Sequence, residues 1–261
     1  MGLLDSIKPT EAKGVENLRH LVLYGLPKVG KTTIVSKLPN VLIIGFEKGV
    51  EYVDGYKIRI NSYKELREVL IELGQDKKFD FVVFDTVTTM LEVLKERAEE
   101  LYSNTIMGKN WLSVGKKEYG DILNLPKGAG YGFLKEALLG ILEYTENESK
   151  FVKPKRYIWL AHSKEIVSDS IGGYDIRFKD IDLPANIKSA LSVRAGAIGY
   201  LKRKAEQLEI SFISNNDYLA GCQVKHLSGK IITISEETED GTIKTYWEKI
   251  YSDLENNETK K

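Results

Sequence analysis

The sequence predicts an α/β fold, with a mostly parallel central sheet flanked by helices and an antiparallel extension towards the C-terminus. Four short segments are predominantly apolar, as is typical of strands buried on both faces of a parallel sheet. They are residues 18–24, 40–47, 80–85 and 156–161. Segments with helical spacing of apolar residues alternate with them, which indicates strand–helix–strand units. The shorter strand-like segments after residue 195 favour antiparallel additions to the sheet.

The helices and connections follow from the same patterns. Apolar residues recur at helical spacing in three segments, which are 63–73, 89–102 and 132–144. Two stretches rich in glycine and charged residues, 103–130 and 163–186, are predicted to be irregular. We therefore divide the chain into an N-terminal arm (1–17), one domain (18–235) and a charged C-terminal tail (236–261).

Composition restricts the possible partners and compartment. The chain has 261 residues with 38 basic and 38 acidic side chains, so no global field attracts nucleic acid or membrane, and any polyanion site must be local. A single cysteine, Cys222, excludes an internal disulfide framework and suits a reducing cytoplasm. We see neither a signal peptide nor an apolar run of membrane-spanning length, so we expect a cytoplasmic protein without a membrane partner.

The most specific motif lies at residues 25–32, where the sequence fits G-x-x-x-x-G-K-[ST] at every fixed position. A predicted strand precedes it and a predicted helix begins at Lys31, which is the order that a phosphate-binding loop requires. In such a loop Lys31 reaches the terminal phosphates, and the Thr32 hydroxyl is a ligand for Mg²⁺. The predicted nucleotide-binding residues are Gly25, Leu26, Pro27, Lys28, Val29, Gly30, Lys31, Thr32 and Thr33.

Three polar residues stand at the predicted carboxyl ends of strands, where the catalytic side chains of a parallel sheet gather. Asp85 ends the apolar run 81–84, so we expect it to hold Mg²⁺ opposite Thr32. Its alternative role is to cap the following helix. Glu47 ends the second strand and could orient or deprotonate the attacking water. The alternative is a surface acid paired with Lys48.

His162 follows the fourth strand. It could sense the γ-phosphate by hydrogen bonding and pass that information to the segment after it, although a histidine at a strand end can also be purely structural. With Lys31, Glu47 and Asp85 it completes the set of residues that we predict to be catalytic.

These motifs occur in an order that resembles a known group. The segments that carry the resemblance are 25–33, 46–49, 83–86 and 160–162, together with 197–201 and 220–227. They are similar to the RecA-like core of small phage P-loop ATPases, and in particular to the Sak-type single-strand-annealing recombinases, also called phage nucleotide-binding proteins. The resemblance covers residues 18–230.

The resemblance implies ATP hydrolysis coupled to binding of single-stranded DNA, in a phage protein that acts in the bacterial cytoplasm. It also implies assembly into rings or filaments. The sequence leaves open whether activity needs a single-strand-binding protein as a further partner. Glu47 matches the catalytic glutamate of the RecA type, and His162 matches the sensor at the end of the fourth strand. An arginine is expected near residues 221–225, yet Gln223 and Lys225 stand there. Lys225 is therefore our candidate for a cation that completes a neighbour's ATP site.

Two segments could contact DNA, because cations and aromatic rings on loops can follow a phosphate backbone and stack on bases. The first offers Lys109, Trp111, Lys116 and Lys117, and the second offers Lys164, Arg177 and Lys179. The alternative for both is an ordinary solvated loop, which the several acids of the second segment favour.

Two other functions stay open. One is a P-loop small-molecule kinase, although the basic residues are mostly scattered lysines rather than an arginine-rich lid. The other is a nucleotide-dependent scaffold or loader that binds another protein and hydrolyses slowly. ATP is favoured over GTP, because we find no Asn-Lys-x-Asp motif for reading guanine.

Overall fold

The central sheet confirms the predicted α/β fold. A computed structural model describes residues 18–168 and 176–254, and these contain eleven strands. The strands are β1 (His20–Gly25), β2 (Val41–Gly45), β3 (Tyr56–Arg59), β4 (Phe81–Asp85), β5 (Arg156–Ser168), β6 (Ile176–Ile181), β7 (Ala197–Lys204), β8 (Gln207–Ser211), β9 (Gly221–Cys222), β10 (Ile231–Glu237) and β11 (Ile243–Thr245).

Six α-helices accompany the strands of these described residues. They are α1 (Lys31–Val35), α2 (Tyr63–Gln75), α3 (Val87–Ser103), α4 (Lys116–Tyr119), α5 (Ala129–Glu146) and α6 (Ala185–Arg194). None of them is long and apolar enough to cross a membrane.

The strand order is β11-β10-β8-β7-β1-β5-β4-β2-β3, with β6 paired to β5 and β9 paired to β7. The run from β7 to β3 is parallel throughout, and β8, β10 and β11 extend it in antiparallel fashion, as the sequence predicts. The register places Gly25 opposite His162 and Gly45 opposite Asp85. The carboxyl ends of β1, β5, β4 and β2 therefore meet at one edge of the sheet.

Both faces of the sheet are covered, which explains the apolar strands. Val22 and Tyr24 of β1 face a core formed with α2, α3, α5 and α6, whereas Leu21 and Leu23 face a second core that includes α1. All four side chains are fully buried. A strand buried on both faces cannot alternate between apolar and polar residues, and this is the pattern that the sequence shows.

The C-terminal part differs from the prediction. The boundary predicted after residue 235 falls inside β10, and residues 236–254 are part of the packed structure rather than a tail. Trp247 is 3 % exposed, and its Nε1 donates a hydrogen bond of 2.8 Å to the carbonyl of Ile34 in α1. Trp247 is surrounded by charged residues in the sequence, and this is why the segment is predicted to be a tail. Residues 1–17, predicted as an arm, and residues 255–261 lie outside the described part of the chain.

The two stretches predicted as irregular are largely regular. Residues 111–119 form a wide π-type helical turn followed by α4. The second stretch forms a hairpin, because β5 continues to Ser168 and pairs with β6 from Ser163↔Ile181 to Ser168↔Ile176, and α6 follows. Short strands with mixed polarity, such as these and β3, give only a weak signal in a single sequence.

Candidate active site

The phosphate-binding loop connects β1 to α1 as the motif predicts. Gly30 has φ 111° and Lys28 has φ 62°, so the loop turns through the left-handed region twice before the helix begins. Gly25 lies against β7, and a Cβ at this position would be 2.9 Å from the carbonyl oxygen of Leu201. The first glycine is therefore required by the close approach of two backbones, and the later glycine by its dihedral angle.

Lys31 is folded inward beneath this loop. Its side chain is buried, and Nζ donates hydrogen bonds to the carbonyls of Gly25 (3.0 Å) and Leu26 (2.9 Å). Burial lowers the pKa of Lys31 to about 8, although the nearby carboxylates of Asp85 and Glu47 oppose this shift. The cation is thus held at the inner end of the loop, where a phosphate would gain most from its charge.

Asp85 and Thr32 are adjacent, as expected for a metal site. The Thr32 hydroxyl donates to Asp85 Oδ2 at 2.6 Å, and Asp85 is only 2 % exposed. Burial raises the pKa of this carboxyl, so a cation beside it would be strongly stabilising. A hydroxyl and a carboxylate are hard oxygen donors, which fits Mg²⁺. The helix-capping role that Asp85 could have played belongs to Thr86, whose side chain accepts from the backbone N–H of Thr89.

Glu47 and His162 face each other across the end of β4. Glu47 Oε1 lies 3.2 Å from His162 Nε2 and accepts a hydrogen bond of 2.8 Å from the Thr86 hydroxyl. The bond with His162 is the main cause that lowers the pKa of Glu47, so this carboxyl is ionised at neutral pH. The carboxylate points into the site towards these two partners, whereas the sequence alternative had paired it with Lys48.

A cavity of about 410 Å³ joins these groups. Its lining includes the loop residues Pro27, Lys28, Gly30, Lys31, Thr32 and Thr33, the polar residues Glu47, Asp85, Thr86 and His162, and the residues Gly49, Tyr52 and Val53. The volume lies in the range of small-molecule sites. All four residues predicted to be catalytic thus line one cavity with the phosphate-binding loop.

Lys225 does not join this group. The segment before it pairs with the start of β7, at Ala197↔Cys222, whereas the phosphate loop lies near the end of β7. Lys225 is exposed at the opposite end of the sheet from the cavity of its own chain. A role for it in nucleotide binding would therefore have to be exerted on a neighbouring subunit.

The first predicted DNA segment is only partly available for contact. Trp111 is 2 % exposed and packs edge-on against Tyr102, so its ring cannot stack on a base, and this prediction is corrected. The indole serves instead to fix the helical turn to α3. Lys116 is exposed but lies 2.7 Å from a carboxylate oxygen of Glu99, whereas Lys109 and Lys117 are exposed on the same segment.

The second predicted DNA segment is the β5–β6 hairpin, and its charges are mixed. Lys164 donates to the carbonyl of Leu183 at 3.1 Å, and Arg177 lies 4.0 Å from Glu165. Lys179 packs over the ring of Tyr200 at 5.8 Å. Residues 169–175 lie outside the described part of the chain. The cations predicted here are present at the surface but are accompanied by acids.

Three residues at the site are not predicted by the sequence motifs. The hydroxyl of Thr86 donates a hydrogen bond to Glu47. Its position directly after Asp85 could have indicated a place in the site. Arg203 Nη2 lies 3.4 Å from the carbonyl of Val29 and thus supports the outer side of the loop. Tyr52 lines the cavity although it is 87 % exposed. Arg203 reaches the site through tertiary packing, which no local sequence pattern predicts, whereas Tyr52 lies at the end of the short helix that follows Glu47.

The fold and the site together define a P-loop nucleoside triphosphate-binding protein with an ATPase-type arrangement of acids. The family model described as the AAA domain matches residues 18–170, more than half of the chain, and the chain therefore belongs to this family of P-loop ATPases. No curated protein matches the chain. The narrower resemblance to phage annealing recombinases goes beyond this family match and stays a proposal.

Proposed function

We propose that this protein is a Mg²⁺-dependent ATPase of the phage recombinase type that binds single-stranded DNA and promotes annealing or exchange of strands. It works as a homo-oligomeric ring or filament. The observation that carries the ATPase part is the convergence of Lys31, Asp85, Glu47 and His162 on one cavity. The DNA-binding part is supported by the order of motifs, which resembles the Sak-type recombinases, and by the β5–β6 hairpin, whose pairing begins one residue after His162.

The reaction is hydrolysis of the β–γ phosphoanhydride. A water oxygen bonds to the γ-phosphorus while the bond from that phosphorus to the bridging oxygen breaks, and ADP leaves with the electron pair. The ionised Glu47 accepts the hydrogen bond and then the proton of the water, and His162 and Thr86 hold its carboxylate in place. Lys31 exchanges its two carbonyl partners for phosphate oxygens. Thr32 and Asp85 would hold Mg²⁺ beside the nucleotide, and the ion would supply neutralisation of the phosphate charge.

Coupling to DNA follows from the continuity of β5. His162 lies on this strand, and the next residue, Ser163, begins the pairing with β6. If the γ-phosphate accepted a hydrogen bond from His162, the contact between His162 and Glu47 would be weakened. The hairpin that carries Lys164, Arg177 and Lys179 starts one residue away, so it is the segment best placed to respond. This arrangement supports a nucleotide-dependent change in DNA affinity.

The surface around 109–117 is the more basic of the two DNA candidates. Lys109 and Lys117 are exposed, and Lys116 is partly neutralised by Glu99. Lysines of this kind bind phosphates without reading sequence, so their contribution falls as salt concentration rises. We therefore expect replacement of Lys109 and Lys117 by alanine to weaken DNA binding and to flatten its salt dependence.

A nucleotide-dependent loader of another protein is the second candidate. Large apolar side chains are exposed within and just before the segment 109–117. They are Ile106, Met107, Leu112 and Val114. Exposed apolar patches often mark protein contacts. In this case the ATPase rate would not respond to DNA.

ATP turnover with and without single-stranded DNA tests the proposal. The proteins are the wild type, Lys31→Ala, Glu47→Gln, the double variant Lys109→Ala/Lys117→Ala and the control Lys64→Ala, whose lysine is exposed on α2. We expect DNA to stimulate the wild type and the control, the double variant to respond less, and the first two variants to be inactive. Turnover that ignores DNA would favour the loader, and phosphate transfer to a small acceptor instead of water would indicate a kinase.

A further inference from the structure

We propose that Tyr24 is a positioning residue that couples the phosphate-binding loop to the second strand of the β5–β6 hairpin. Tyr24 directly precedes Gly25, the first glycine of the loop. Its hydroxyl donates to two carbonyl oxygens, at 2.6 Å to Leu219 and at 3.1 Å to Lys179 of β6. The inference rests on the proposed nucleotide binding, and it does not depend on whether the hairpin contacts DNA.

The hairpin is attached beside the nucleotide site at the root of each of its strands. β5 runs through His162 into the hairpin, so the first strand is attached by the chain itself. The second strand, β6, returns to the sheet at Lys179 and Asp180. Asp180 is buried and forms an ion pair with Lys188 of α6, whereas Tyr24 links this root to β1. Both strands of the hairpin are therefore connected to residues that border the nucleotide site.

The link through Tyr24 lies in a packed interior. The side chain of Tyr24 is fully buried, and its ring centroid lies 5.2 Å from that of Tyr200 on β7. Tyr200 in turn stacks on Tyr218 at 4.8 Å. The backbone N–H of Leu219 donates to the carbonyl of Lys179 at 3.0 Å, so both acceptors of the Tyr24 hydroxyl belong to one hydrogen-bonded unit. Moving this unit away from β1 would leave a carbonyl without its donor, which is costly.

Nucleotide binding changes the hydrogen bonds next to Tyr24. The carbonyl of Gly25 accepts a hydrogen bond of 3.0 Å from Lys31 Nζ, and this is one of the two partners that the lysine exchanges for phosphate oxygens. The exchange therefore begins one residue away from the hydroxyl that holds β6. A ligand shifts a conformational equilibrium only through contacts that differ between the two states, and this exchange of partners is such a difference.

Hydrogen–deuterium exchange read by mass spectrometry tests the coupling. The ligand is Mg²⁺ with adenylyl imidodiphosphate, whose bridging nitrogen prevents hydrolysis, and the proteins are the wild type, Tyr24→Phe and the control Tyr157→Phe. Tyr157 is also fully buried, but its hydroxyl has no hydrogen-bond partner among the described residues. Both substitutions thus remove one buried hydroxyl and keep the ring, but only Tyr24→Phe breaks the link to β6.

In the wild type and in Tyr157→Phe, the ligand should protect residues 25–33 and slow exchange in 176–181 and 217–219, because the loop and the hairpin become ordered together. In Tyr24→Phe the protection of 25–33 should persist, whereas the slowing in 176–181 should shrink about threefold or more. A purely structural role of the hydroxyl would speed exchange in β6 equally with and without the ligand, and the ligand-induced difference would stay the same.

Two results would overturn the inference. One is a ligand-induced slowing of 176–181 that is as large in Tyr24→Phe as in the wild type. The other is a wild type whose residues 25–33 are protected while exchange in 176–181 does not change. Absence of protection at 25–33 in the wild type would overturn the nucleotide binding on which the inference rests. Because the samples contain no DNA, the result is independent of the DNA-binding part of the proposed function.

Discussion

Glu47 and His162 lie 115 residues apart in sequence, yet Oε1 of the first and Nε2 of the second are 3.2 Å apart. β2 and β5 lie on either side of β4, and their carboxyl ends bring the two side chains together. The pair therefore depends on the strand order of the sheet rather than on any local motif. The contact stabilises the ionised form of Glu47.

The first prediction concerns this contact. His162→Ala should reduce kcat by about tenfold to a hundredfold, because the water-activating carboxylate loses its partner. The pKa of Glu47 should rise, so the acid limb of the kcat–pH profile should move to higher pH. His162→Gln, which can still donate a hydrogen bond, should recover part of both effects. An alanine variant with an unshifted acid limb would contradict a positioning role for His162.

The second prediction concerns Lys31, whose pKa is lowered to about 8 in the free protein. Phosphate oxygens favour the charged lysine, so nucleotide binding should be coupled to proton uptake above pH 8. Affinity should fall by about tenfold between pH 7 and pH 9. Calorimetry at pH 9 in two buffers of different ionisation enthalpy should show about one proton taken up, and close to none at pH 6.5. Affinity that is independent of pH would show that the lysine stays charged.

The third prediction concerns His20, a buried residue of β1 that accepts a hydrogen bond from Trp159 Nε1. Burial, with help from Arg19 and Arg194, lowers its pKa from 6.5 to about 4. Between these pH values the unfolded chain binds a proton that the folded chain does not, so the free energy of unfolding should fall as pH falls. The loss should approach about 3 kcal/mol.

Urea unfolding of the wild type and His20→Asn at pH 7 and pH 5 measures this effect. The asparagine can retain an acceptor for the indole but does not titrate, so its stability should change less between the two pH values. Equal changes in both proteins would assign the acid sensitivity to other groups.

The fourth prediction concerns Trp247, which is buried against α1. Trp247→Ala should lower the free energy of unfolding by about 3–5 kcal/mol, because it removes a large buried side chain. Trp247→Phe keeps most of the packing but loses the hydrogen bond to Ile34. Thermal unfolding should place it between the alanine variant and the wild type, with exposed Lys249→Ala as the control. A wild-type melting temperature for Trp247→Ala would mean that this segment adds nothing to the core.

The parts of the fold that the sequence predicts well are those buried on both faces of the sheet. β1, β2, β4 and the start of β5 are predominantly apolar and alternate with helical segments, so their existence and parallel arrangement can be derived from the sequence pattern. β3 is an exposed edge strand with alternating polarity, and it is missed. The β5–β6 hairpin is also missed, because the end of β5 does not alternate regularly between apolar and polar residues.

The residues of the site also differ in how well the sequence predicts them. Lys31, Thr32 and Asp85 belong to motifs whose spacing the chemistry dictates, and the structure brings them together. Glu47 and His162 could be placed at strand ends, but their mutual contact could not be derived without the strand order. Trp111 was assigned to DNA because an aromatic among lysines resembles a stacking platform. Its burial depends on the turn 111–115, which has no clear sequence signal.

The contact of Trp247 with Ile34 also bears on how the protein is made. The helix that begins with Lys31 and Thr32 completes its packing only with a residue more than 200 positions later in the chain. The triphosphate pocket should therefore mature only after the segment around Trp247 has emerged from the ribosome. A nascent chain stalled before this tryptophan would carry an intact binding motif and yet lack a firmly seated helix behind it.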